Sequence, residues 1–274
     1  MKAPILALQL MTRLPLPDVG ATSDDMARAI RWFPLAGLVV GACLAGAVWA
    51  GGLHSAALAA LSGLLVWGGM TGALHLDGLG DIADASGAAH GDRERLSAVL
   101  ADPHIGSFGV VAIVLQLLAK LVLLFLAWST VPLPALVLVP VAARIAPMAW
   151  TLLLPPLHAG MGTRFGSGAS WPVCLAWSAL LSVCALVFAP ALLAVFPASA
   201  LWALWLKRRI GGISGDGHGA GIDVKLVPEK PADRRIGAWI ERFVQVAGQQ
   251  RKGTDGAAAQ LSRPSEQLLE ITEI

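Results

Sequence analysis

Six apolar stretches, near residues 33–53, 55–76, 106–128, 131–154, 172–189 and 191–206, decide what this chain can fold into. Crossing about 30 Å of hydrocarbon takes roughly 20 apolar residues in an α-helix. A backbone in lipid must also satisfy its own N–H and C=O groups, which a helix does. The last two stretches are shorter and share the break at Pro190, so two spans or one re-entrant hairpin both remain open. Composition agrees: 56% of the 274 residues are hydrophobic and 14% charged, with a mean hydropathy of +0.68. Soluble chains carry about 25% charged residues. The expected fold class is therefore all-α, a polytopic transmembrane helical bundle of about six spans with a polar site on its cytoplasmic face.

Lys and Arg are distributed unevenly between the connections. Lys2, Arg13, Arg28 and Arg31 precede the first stretch, and Arg93 and Arg95 lie between the second and third. Arg164 lies between the fourth and fifth, and Lys207, Arg208 and Arg209 follow the sixth. The alternate connections, near Gly52, residues 129–134 and Pro190, carry none. Because basic loops stay on the cytoplasmic side, the N-terminus and all polar loops of this multi-pass chain are expected there. Residues 1–12 hold one Lys and no cleavage site, so no secretory signal is expected. Cys43, Cys174 and Cys184 fall inside apolar stretches without metal-ligand spacing. Lys120 and Arg144 fall within spans, where a charge is costly and faces a polar cavity or a partner. From Gly221 the chain turns polar and charged, which divides it into a membrane domain at 1–220 and a flexible tail at 221–274. Within that tail, 232–248 could form a short surface helix.

The segment from His75 to Asp84, His-Leu-Asp-Gly-Leu-Gly-Asp-Ile-Ala-Asp, carries the strongest chemical signal. Asp77, Asp81 and Asp84 follow spacings of four and three, which on a helix places them within roughly 60° of one another. Like charges so placed repel unless something positive sits between them. An all-oxygen donor set favours Mg²⁺, a hard ion that bridges carboxylates and substrate phosphates. Gly78 and Gly80 remove bulk beside this stripe. A second polar island contains Asp102, His104, Gly106 and Gly109, and either a plain Asp-Pro turn or a phosphate or proton contact at His104 would explain it. In a third, Arg208 and Arg209 precede a glycine cluster with Gly215, Asp216 and Gly219. Such a cluster suits a loop whose bare N–H groups cradle an anion, though it has no Walker A ending.

Together these segments resemble the cobalamin synthases, the adenosylcobinamide-GDP ribazoletransferase family. The likeness rests on five segments in order: Thr12 to Pro17, Trp32 to Gly41, His75 to Asp84, Asp102 to Gly109 and Gly211 to Gly219. It covers roughly residues 3–220. The resemblance implies transfer of adenosylcobinamide phosphate from adenosylcobinamide-GDP to α-ribazole or its 5′-phosphate, with release of GMP and Mg²⁺ as cofactor. It further implies Asp77, Asp81 and Asp84 as metal ligands, with Asp81, Asp84, Asp102 and Asp216 as the catalytic set. Arg144, Arg208, Arg209, His104, Gly215 and Gly219 would meet substrate. The partners implied are these substrates and the lipid bilayer, with room for a homo-oligomer and no nucleic acid. Family members continue from the last motif into a further apolar helix, whereas this chain turns polar. A membrane alcohol phosphotransferase would also hold metal on intramembrane aspartates, but no Ala-Arg follows Asp77-Gly78. A transporter predicts acids at mid-membrane depth, whereas here they cluster in the expected loops.

Overall fold

The structure is a computed structural model, and it describes residues 2–88, 92–157 and 160–224. All of these belong to one compact unit, Met1–Pro228. A second unit, Glu229–Ile274, and with it the expected surface helix at 232–248, lies outside the described residues. No strand occurs among the described residues; one isolated bridge joins Pro156 to Ile213.

Short helices open the chain. α1 (Lys2–Met11) buries Leu6, Ala7 and Met11. α2 (Ser23–Ala29) starts at a capping box, in which Thr22 Oγ1 accepts from the Asp25 N–H and the Asp25 carboxylate accepts from the Thr22 N–H, each at 3.2 Å. α3 (Phe33–Gly52) then enters the apolar interior with Pro34 in its first turn, where a missing N–H costs nothing. It packs along α8 (Leu133–Leu153) with backbone almost on backbone. A Cβ at Gly41 would stand 2.2 Å from the Val137 carbonyl oxygen, and one at Gly37 would stand 2.5 Å from that of Pro140. Small residues four apart let helices approach this closely where no hydrophobic effect drives them together.

The second apolar stretch breaks. α4 (Ala56–Thr71) ends at Gly72 and Ala73, which both take left-handed φ angles, +61° and +57°. The Ala73 N–H donates to Gly68 O, and the Gly72 N–H to Gly69 O, closing the helix end. α5 (Leu74–Ala88) departs at 83° to α4. The remaining elements are α6 (Arg93–Ala101), α7 (Ser107–Ala127), α9 (Met161–Gly166), α10 (Trp171–Phe188), α11 (Val195–Arg209) and α12 (Gly215–Val224). Among the described residues, five helices are long and apolar enough to cross a membrane, or six if α4 and α5 as far as Gly87, bent at their junction, count as one broken span. The expected stretches thus match α3, α4, α7, α8, α10 and α11 within a few residues. Val111, Leu115, Leu118, Leu175 and Val187 are exposed on the bundle's outside.

Two expectations change. The glycine cluster after Arg209 is not a loop: from Gly215 it forms α12. Helix propensity argues against four alternating glycines, but the packing is tight at two of them. A Cβ at Gly221 would meet the rings of Trp150 and Trp202 at 2.3 and 2.4 Å, and one at Gly217 would meet Ile213 at 3.2 Å. The boundary expected at residue 220 also falls inside α12, whose Gly221, Ile222 and Asp223 are buried.

Candidate functional site

Five helix ends meet at one end of the bundle. Gly106 and Gly109, at the start of α7, contact Asp84 near the end of α5. The last turn of α11 reaches α5 through Arg209 Nη2, which donates to Ser86 O at 3.3 Å. The chain after α8 pairs with the chain before α12, Ile213 N donating to Pro155 O at 2.9 Å. The polar islands separated in sequence therefore share one end of the fold.

α5 presents its three aspartates as the spacing predicts, but in three different settings. Asp77 is exposed, Asp81 half-buried and Asp84 buried. Asp84 is engaged by backbone: Oδ2 accepts from Gly106 N at 2.7 Å and Oδ1 from Gly109 N at 2.9 Å. Gly106 is the N-cap of α7 and has no side chain with which to cap it. Asp84 supplies that cap from a neighbouring helix, and its charge complements the positive end of the α7 dipole. Both glycines are required, since a Cβ on either would stand within 2.5 Å of the carboxylate.

Asp216, in the first turn of α12, joins the carboxylates from across the interface. Gly78 faces its backbone so closely that a Cβ there would lie 2.9 Å from Asp216 O and 3.0 Å from its Cα. From Asp77 onward α5 lies past the apolar stretch of residues 55–76. There, partial burial and the charges of Asp216, Asp77 and Asp84 raise the Asp81 carboxyl from 3.8 to about 6. Three carboxylates thus act on Asp81 at this end.

This donor set suits a hard cation, though not as a ready-made cage. Among the described residues, no three His, Cys, Asp or Glu side chains are gathered closely enough to hold an ion by themselves. Mg²⁺ seldom uses such a cage, taking one or two carboxylates and completing its shell with water and substrate phosphate. Asp77, Asp81 and Asp216 have the right chemistry for that.

The other expected site residues are dispersed. Asp102 and His104 are exposed and pair with each other: His104 N and Nδ1 lie 2.9 and 2.7 Å from Asp102 Oδ1. The backbone N–H and then the ring of His104 hold the Asp102 carboxyl below its usual range. Neither residue is among the charges acting on Asp81. Arg208 and Arg209 are exposed at the end of α11. Gly215 opens α12, and Gly219 packs against His75, where a Cβ would lie at an ordinary 3.5 Å from its Cα. Arg144 is wholly buried in α8, so it does not line the polar end; its Nη1 donates to Pro140 O at 3.2 Å. His218, which the sequence reading passed over, locks α12 in place: its Nε2 lies 2.9 Å from Thr151 Oγ1 and its Nδ1 2.8 Å from Ser214 O.

A family model described as cobalamin-5-phosphate synthase matches residues 3–227. The chain belongs to that family. The synthase match runs through the whole of α12, in keeping with the burial of Gly221 to Asp223. A protein of Novosphingobium aromaticivorans named adenosylcobinamide-GDP ribazoletransferase is 60% identical over 230 residues, 82% of this chain and 92% of its own. Proteins of the same name from Thiobacillus denitrificans and Laribacter hongkongensis are each 49% identical, covering 81% and 82% of this chain and 91% and 93% of theirs. No solved structure matches the chain.

Proposed function

We propose that this chain is an adenosylcobinamide-GDP ribazoletransferase acting at the cytoplasmic face of a bacterial inner membrane, with its N-terminus in the cytoplasm. A ribose hydroxyl of α-ribazole, or of its 5′-phosphate, attacks the corrinoid-side phosphorus of adenosylcobinamide-GDP. A new P–O bond forms to the ribose, the bond to the bridging oxygen breaks, GMP leaves, and the hydroxyl proton is lost. The observation that carries this reading is the meeting of Asp216 from α12 with Asp77 and Asp81 from α5, at the end of the bundle where Arg208 and Arg209 also emerge.

Asp77, Asp81 and Asp216 would hold Mg²⁺, which when bound neutralises charge on the phosphoryl oxygens and aligns them. The chain's own groups do the remainder. Arg208 and Arg209, exposed on the last turn of α11, offer cationic donors to the diphosphate. Asp84 keeps α5 fixed on the α7 N-terminus, so Asp81 is presented at a constant depth. Asp102 and His104, on the loop that leads into α7, form a charged rim near which a polar acceptor can dock. The pathway of the basic connections supports the cytoplasmic orientation.

The test is direct. Membranes containing the chain are incubated with adenosylcobinamide-GDP and α-ribazole, and GMP is followed with and without Mg²⁺. Mg²⁺-dependent GMP and cobalamin formation is expected, and Asp81→Asn should abolish it while the protein stays in the membrane. No GMP from the wild-type chain under these conditions would overturn the assignment.

A further inference from the structure

The two intramembrane cations have one common counter-ion. Lys120 on α7 and Arg144 on α8 are both buried, at 3% and 0% exposure, and the last turn of α12 brings in Asp223, itself only 4% exposed. Lys120 Nζ is ion-paired with Asp223 Oδ1 and also sits 4.4 Å from the centroid of the Trp67 ring. One turn earlier on α7, Gln116 Nε2 donates to the Asp223 carbonyl, one of the carbonyls that a helix C-terminus leaves without an internal donor. The positive charge of Lys120 at that terminus also complements the α12 dipole. The Asp223 charge acts on Arg144, and those of Arg144 and Lys120 act on His75. Four buried atoms in this group find no protein partner: Asp223 Oδ2, Arg144 Nε, Arg144 Nη2 and His75 Nε2. One acceptor among these donors is an arrangement that ordered water bridges.

We propose that Asp223 is a positioning residue for the transfer reaction: by clasping Lys120 directly and Arg144 through water, it seats α12 and so sets Asp216 against α5. α12 needs such an anchor. Its four glycines make it a poor helix by propensity, and its first turn must hold within contact distance of Gly78. Seven residues separate Asp223 from Asp216, two turns or about 10 Å of rigid helix, so a shift at the buried end is transmitted to the carboxylate end. The clasp itself stands apart from the assignment of substrate, while its consequence for turnover rests on the function proposed above.

The charge count gives a signature that packing alone would not. Two cations share one acid, so Lys120→Met leaves a balanced Arg144–Asp223 pair, whereas Asp223→Asn leaves two buried like charges. Hydrogen exchange of the α12 amides in purified protein is the readout. Exchange should rise about a hundredfold in Asp223→Asn and less than about threefold in Lys120→Met, and adding Lys120→Met to Asp223→Asn should recover about tenfold. In the transfer assay, Asp223→Asn should lower kcat about a hundredfold with KM for the corrinoid donor within about threefold, and Asp223→Glu should restore part of kcat. Equal exchange in Lys120→Met and Asp223→Asn would overturn the clasp, as would unchanged α12 exchange in Asp223→Asn. If Asp223→Asn alone does not accumulate, the double variant is compared with Lys120→Met: excess α12 exchange in the double supports the clasp and none overturns it. Should the wild-type chain release no GMP, the assigned reaction fails, and the exchange pattern still decides the clasp.

Discussion

Asp81→Asn should make the metal-free protein more stable while destroying its activity. In the folded chain, burial and the charges of Asp216, Asp77 and Asp84 lift the Asp81 carboxyl from 3.8 to about 6. A group whose folded pKa is raised binds its proton more tightly when folded, so its charged form opposes folding. That cost is absent below pH 3.8, develops as pH climbs towards about 6, and is fully present above it. Such a rise corresponds to roughly 3 kcal/mol. Because Asp81 is partly open to solvent, which screens its neighbours, we take about 1 kcal/mol. Asparagine keeps the shape and loses the charge. Thermal unfolding in detergent with EDTA should therefore show wild type gaining about 1 kcal/mol as pH falls from 7 to 3.8, only part of it by pH 5. The variant should start about that much higher at pH 7 and lack this segment of pH dependence. Mg²⁺ at pH 7 should raise the wild-type melting temperature and leave that of the variant almost unmoved. A variant less stable than wild type at pH 7, or one that Mg²⁺ stabilises as strongly, would refute the view that these carboxylates form one electrostatic unit.

Asp84→Ala should instead destabilise, by about 2–4 kcal/mol, because the Gly106 and Gly109 N–H groups lose a charged acceptor; denaturant unfolding checks it, and a loss under 0.5 kcal/mol would speak against the capping role. Gly78→Ala gains about 1 kcal/mol of helix propensity but forces α12 back by about half an ångström, so kcat should fall about tenfold with little change in stability. Gly46→Ala, where nothing lies within 4 Å of the added Cβ, is its control and should leave kcat intact. Gly41→Ala should cost about 1–3 kcal/mol by prising α3 from the Val137 backbone, measured by thermal unfolding. Ala73→Gly relieves the left-handed φ of +57° at the α4–α5 break and should stabilise by about 1 kcal/mol.

The spans could be read from sequence because hydropathy over some twenty residues is a property of the stretch, independent of its neighbours. That is why α3, α7, α8 and α10 begin and end within a few residues of expectation. The three-aspartate helix was equally legible, since helical phase follows from spacing alone. What spacing could not show is that Asp84 caps α7, because that needs the partner helix in place. α12 was misread for a related reason. Alternating glycines announce a loop by local preference, and only the Trp150, Trp202 and Gly78 contacts reveal a helix that must be thin. Asp223 was missed because it was counted with the charged tail. The available signal was Lys120 and Arg144: two cations in apolar helices require an acid, and Asp223 follows the last glycine motif by only a few residues.

α5 and α12 have the same design, and it accounts for where the polar end lies. Each is a short, glycine-bearing helix with one end deep in the bundle and the other at its polar rim. The deep end of α12 is held by a group that lipid would never tolerate alone, Asp223 facing the cations of α7 and α8, and His75 of α5 lies buried beside those cations. Asp77 in the first turn of α5, Asp84 further along it and Asp216 in the first turn of α12 all repel Asp81. Repulsion at the rim would spread two unanchored helices, whereas charges buried from water at the deep ends resist sliding because any displacement leaves one of them unpaired. A rim of acids that cannot relax by moving apart is one that a cation can relieve, and the buried clasp is what denies it the alternative.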